Sequence, residues 1–109
     1  MKFKIVGWKA MRTGSLYGFA SVLFDDYLKV DQIAIRDGKR GLWAGLPSRQ
    51  WTDRQGKAHY DPVVSFADKQ AAYRFSDVLI TRLSEKHPGD LPALEVAERD
   101  LSAHHAIAL

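Results

Sequence analysis

Cysteine is missing from this chain altogether, and no apolar run is long enough to cross a bilayer. The first absence excludes disulfides and accords with a reducing compartment. The second leaves no candidate transmembrane helix. The opening MKFKIVGWKAM alternates lysines with apolar residues and so lacks the continuous apolar stretch of a signal peptide. A cytoplasmic protein without a membrane partner is expected. The usual signatures of catalysis and nucleotide binding are missing too. Neither GxGxxG nor GxxxxGK[ST] occurs, there is no HExxH or zinc-type spacing, and no serine sits in a nucleophile-elbow setting. The expectation is a protein that is not an enzyme and takes no cofactor or small-molecule substrate.

What is present describes a single domain. A chain of 109 residues is long enough to bury roughly two thirds of its unfolded surface. Its charge is unevenly spread. Residues 1–87 carry 15 Lys and Arg against 9 Asp and Glu, whereas residues 88–109 carry Arg99 against Asp90, Glu95, Glu98 and Asp100. A basic body with an acidic tail suggests an anionic partner for the body, although a solvated basic surface would look the same. The natural division is a body over 1–88 and an acidic tail or short helix over 89–109.

Hydrophobic patterning makes the first 64 residues β. FKIVGWKAM and LYGFASVLF are rich in β-formers, and RTGS between them supplies a hairpin turn. In the second segment Leu16, Ala20, Val22 and Phe24 share one face, and Tyr17, Phe19 and Leu23 share the other. A strand apolar on both faces is central or covered by a partner subunit. Asp25-Asp26 marks the next turn. The third strand, YLKVDQIAIRD, slips phase between Val30 and Ile33, which a β-bulge near Asp31 would reconcile. LWAGLP is predicted as a short fourth strand after an Asp37-Gly38 turn, with Trp43 in the core. Thr52–Lys57 reads as an exposed loop or hairpin tip, and AHYDPVV as a short edge strand limited by Pro62. Ala72, Phe75, Leu79 and Leu83 then draw the apolar stripe of a helix capped by Ser65 and stopped by Pro88-Gly89. The fold class is α+β: an antiparallel sheet of four to five strands, one C-terminal helix packed on it, and a short helical or mobile tail.

The stretch DGKRGLWAGLPSRQW, residues 37–51, gathers cations, tryptophans and glycines. It could be no more than a loop-rich corner of a sheet, or it could form a surface for a polyanion. Lys39 and Arg40 fall at a turn, Arg49 leaves the fourth strand, and Arg54 and Lys57 occupy the next loop. Brought together, they would make a cationic strip that neutralises phosphates and releases counterions. Glycines would let backbone N–H groups approach the anion. Trp51 and Tyr60, where exposed, could stack on unpaired bases. His59 with Asp61 could orient a base or bind a metal, but no third ligand stands at a recognisable spacing. His59 is therefore read as an edge-strand polar residue and the metal site as none.

The segment FASVLFDDYLKVDQIAIRDGKRGLWAGLPSR resembles the heart of the SpoVG family (stage V sporulation protein G, or septation protein). The elements that carry the resemblance are Ala20-Ser21, Asp25, Ile33, Ile35, Asp37-Gly38, Gly41-Leu42 and Pro47-Ser48-Arg49. It continues through the Thr52–Gly56 loop, Tyr60-Asp61-Pro62 and the helix, over residues 3–87. The resemblance implies a homodimeric β-sheet protein with a packed helix that binds DNA and RNA as a regulator of transcription, without enzymatic activity. Arg49 matches the first member of the basic pair that follows Pro-Ser in the family; Gln50 stands at the second, followed by Trp51. The expected nucleic-acid-binding residues are thus Lys39, Arg40, Arg49, Gln50, Trp51, Arg54 and Lys57. Two other readings compete with this one. The first is an interaction module recruiting a partner protein through an apolar sheet surface and the acidic tail; the second is a metal-dependent hydrolase using His59 and Asp61.

Overall fold

The computed structural model describes residues 2–92; the tail beyond, including the expected second helix, lies outside the described residues. Four strands, β1 (Phe3–Thr13), β2 (Leu16–Phe24), β3 (Leu28–Gly38) and β4 (Gly41–Gly45), form one antiparallel sheet in sequence order. A second sheet contains only β5 (Ser48–Thr52) and β6 (Ala58–Pro62), and helix α1 (Lys69–Lys86) follows. The α+β architecture expected from the sequence is the one observed. SRQWT, expected to leave the fourth strand as loop, is instead β5. All five of its residues are exposed, so no apolar alternation announces it.

Each turn has a local cause. Asp25 and Asp26 both adopt positive φ, 50° and 63°, the geometry of a tight hairpin turn whose twist suits the flanking strands. The Tyr27 amide closes it on the Phe24 carbonyl at 2.9 Å. The third turn is displaced from its expected place. β3 runs on through Asp37 and Gly38, which pair with Leu42 and Gly41, so Lys39 and Arg40 form the turn itself.

Register explains the phase slips. Ala20 pairs with Ile33 and Val22 with Val30, so Asp31 and Gln32 together oppose Ser21, and Gln32 takes a φ of 61°. This is the expected bulge, and Ser21 Oγ donates to Asp31 Oδ1 across it at 2.7 Å. A second irregularity lies on the other side of Ser21. Ile5 pairs with Val22 and Gly7 with Ser21, which leaves Val6 as the extra residue. The core face of β1 therefore passes from the odd positions Phe3 and Ile5 to the even Trp8. A third shift, between Leu16 and Gly18, accounts for Tyr17, which packs against the core cluster instead of joining Phe19 and Leu23 on the other face.

One face of the sheet builds the core with α1. Ala20, Val22, Val30, Ile33, Ile35 and Leu42 are buried against Phe75, Leu79, Ile80 and Leu83, and Leu91 joins them. Phe75 is the centre of an aromatic cluster, with ring centroids 4.9 Å from Phe3, 5.4 Å from Phe24 and 5.1 Å from Phe66. The helix cap is three residues later than expected. Asp68, not Ser65, is the N-cap, its carboxylate accepting from the Ala71 amide at 2.8 Å. At the other end the His87 amide donates to the Leu83 carbonyl at 2.7 Å before Pro88 and Gly89 turn the chain away. Ser76, buried in mid-helix, accepts the Ala44 amide at 2.9 Å and so fixes α1 to the outer edge of β4. Trp8 lies over Gly18 and donates from Nε1 to Asp90 at 2.9 Å, tying β1 to the segment after the helix.

Trp43 departs from its expected place in the core. It is 46% exposed. Buried Leu42 takes the inner face of β4, and strand alternation sends Trp43 outward.

Candidate functional site

All seven residues expected to contact nucleic acid are exposed, but they occupy two places. Lys39 and Arg40 form the β3–β4 turn, at the start of β4. Arg49, Gln50 and Trp51 lie on β5, and Arg54 and Lys57 in the turn that joins it to β6. β4 separates the two groups, and its five residues span roughly 17 Å. Among the described residues the β5–β6 hairpin pairs as a sheet only with itself, and it is pinned at its base by the Val63 amide donating to the Pro47 carbonyl at 3.1 Å. It is an arm carrying its own cations.

The arm has two chemically different sides. Arg49 pairs with Asp61 and Trp51 with His59, so these four side chains share one side; Gln50 pairs with Tyr60 on the other. The indole of Trp51 stacks on the His59 ring with centroids 4.4 Å apart and planes 17° apart. Its Nε1 donates to Asp61 Oδ2 at 2.8 Å. Trp51 thus gives one ring face and its N–H to the arm itself while staying 42% exposed. Tyr60, 66% exposed, stands on the opposite side.

Asp53 organises the tip. One carboxylate oxygen accepts the amides of Gln55 and Lys57, each at 2.9 Å, and the other meets His59 Nε2 at 2.8 Å. His59 is therefore held by Asp53, and Asp61 by Trp51; the His59–Asp61 pair considered from the sequence does not form. Among the described residues, no three His, Cys, Asp or Glu side chains gather as metal ligands.

The hydrogen bond to His59, followed by that to the Lys57 amide, holds the Asp53 carboxyl below its ordinary value of 3.8. A depressed carboxyl adds stability that is present above the unfolded-state value and is lost as pH falls through the folded one. Acidification below the ordinary carboxylate range should therefore loosen the arm tip. Hydrogen exchange at the Gln55 and Lys57 amides should accelerate there relative to core amides, and Asp53→Asn should abolish that pH step. A tip whose protection is the same in both proteins across this range would disprove the role given to Asp53.

The sequence reading assigned Phe19 and Leu23 to the sheet face that points away from α1 but did not place Trp43 there. Lys9, Phe19, Ala34 and Gly45 form one rung across all four strands, and Arg36 and Trp43 the next. The signal was present in the glycines at 38 and 45 that flank Trp43.

Comparison with known proteins places the sequence in a family. The SpoVG family model matches residues 1–82. A curated protein of Archaeoglobus fulgidus described as "Putative septation protein SpoVG" is 28% identical over 79 residues, covering 72% of this chain and 88% of the relative. Among the described residues no helix is long and apolar enough to cross a membrane. With the match extending from the first strand into the helix, the chain belongs to the SpoVG family.

Proposed function

We propose that this protein is a nucleic-acid-binding regulator, acting as a homodimer and without catalysis, that holds the sugar-phosphate backbone of DNA or RNA. The observation that carries this reading is the arm. It exposes Arg49, Arg54 and Lys57 together, on a body whose residues 1–87 hold 15 basic against 9 acidic side chains. Phosphate contacts of this kind release counterions and fix position without reading sequence. The relative's name associates that protein with septation, a setting in which a regulator of gene expression would serve.

Replacing Arg49, Arg54 and Lys57 together with glutamine tests the proposal. Binding should weaken to a similar degree on unrelated sequences. The slope of log K against log salt should fall by ~0.9 per lost contact on duplex DNA, or ~0.7 on single strands. The thermal transition should hardly move, because exposed cations add little to folding. Sedimentation of the same samples should give twice the chain mass. Unchanged affinity and slope would remove the arm from the interface and favour an interaction module for a partner protein.

A further inference from the structure

The sheet face opposite α1 carries an aromatic laid flat. A Cβ built on Gly38 would stand 2.8 Å from Nε1 of Trp43 and 2.9 Å from Cδ1. One built on Gly45 would stand 2.7 Å from Cζ3. These atoms are at opposite edges of the indole, and Gly38, Gly45 and Trp43 all face outward by the β3–β4 register. Both edges of the ring therefore rest on the sheet, at two positions where any side chain would lift it. A tryptophan held this way buries one π-face on backbone and turns the other outward, consistent with its 46% exposure.

Cations and an aromatic ring share this face with it. Arg36 is its rung partner on β3, and the adjoining rung brings Phe19 and, at the β1 edge, Lys9. Lys4 and Lys29 flank Leu23 further along the same face. The carboxylates nearby are engaged locally: Asp26 with Lys4 at 3.3 Å, and Asp31 with Lys29 at 3.5 Å and with Ser21. Lys9 and Arg36 make no ion pair among the described residues.

We infer that this face is a second contact surface for single-stranded nucleic acid, on which an unpaired base stacks against Trp43 while Arg36 and Lys9 take the adjoining phosphates. A flat exposed indole beside cations suits a base and its backbone together, because every base has a π-face. A second copy of the chain would set these cations against their own kind, a like-charge arrangement that disfavours pairing. The inference rests on the nucleic-acid reading above and extends it from the arm to the sheet. Duplex DNA keeps its bases stacked inside, so the two surfaces should respond differently to strandedness.

The test titrates labelled oligo(dT), oligo(U) and a hairpin duplex with the full chain and with Trp43→Ala, Trp43→Phe, Arg36→Gln and the arm triple variant. Trp43→Ala should bind single strands about 5- to 150-fold more weakly, the range expected for one lost stack. Duplex affinity should change little. Trp43→Phe should recover most of the loss and remove much of the tryptophan quenching that accompanies binding. Arg36→Gln should lower the single-strand salt slope by ~0.7. Single-strand binding unchanged in Trp43→Ala, with the arm triple variant impaired, would overturn the sheet site and leave the arm proposal standing. Loss of the dimer in Trp43→Ala would overturn it too, by making the face an interface between copies. Wild-type protein that binds none of the probes would defeat the nucleic-acid reading as a whole.

Discussion

Phe75→Ala should destabilise this protein by about 3–5 kcal/mol, the range for removing a large aromatic from a packed core. Phe75 is 1% exposed and touches the rings of Phe3, Phe24 and Phe66, which come from β1, β2 and the segment before the helix. No one of these elements can collapse into the vacated space without leaving the others, so the cavity should persist. For a domain whose whole stability is of order 5–15 kcal/mol, the loss should lower the thermal midpoint by roughly 10–25 °C. Urea unfolding provides the measurement, and Tyr73→Ala, at a position 44% exposed on the same helix, provides the comparison with a much smaller shift. A Phe75→Ala midpoint indistinguishable from wild type would mean that α1 is not docked through this cluster.

Adding one methyl group at Gly18 should also be damaging, though less so. A Cβ there would stand 2.5 Å from the Lys9 carbonyl oxygen and 2.6 Å from Cη2 of Trp8. The indole could swing aside, but the carbonyl belongs to β1 within its ladder with β2, where Lys9 pairs with Phe19 and Ala10 with Gly18. Gly18→Ala should therefore destabilise by about 1–3 kcal/mol through overpacking. It should also expel Trp8 and break its bond to Asp90, visible as a red-shifted tryptophan emission. Adding Trp8→Ala to Gly18→Ala should relieve only the side-chain part of the clash. A Gly18→Ala protein with wild-type stability would show that β1 and β2 can part at this point without penalty.

Much of the fold was legible because its residues act locally. The aspartate pair at 25–26 tolerates positive φ, and the slip from Val30 to Ile33 announced the bulge that the register shows. The helix stripe was equally plain, although the residue that reaches the Ala71 amide as cap is Asp68 and not Ser65. β5 was hidden because its order comes from a hairpin partner and not from a core. Trp43 was misplaced because hydrophobicity predicts burial without saying on which side of a sheet. That depended on Leu42 taking the inner face and on two glycines making a bed outside. The cations of the candidate site were readable one by one. Their division between a turn and an arm was not, since it depends on a hairpin that leaves the main sheet after Pro47.

The bond between Ser76 and the Ala44 amide has a consequence for assembly. A sheet grows by adding strands at its margins, and an open sheet has two. Here α1 engages one backbone group of β4, the Ala44 amide, and one of β1, the Phe3 carbonyl to which Arg82 donates at 2.8 Å, while the β1 margin, eleven residues long, has no strand beyond it among the described residues. Within the four-stranded sheet this leaves β1 as the long margin for strand addition. Two copies joined along β1 would cover that margin in each other, so that pairing there would end in a closed pair.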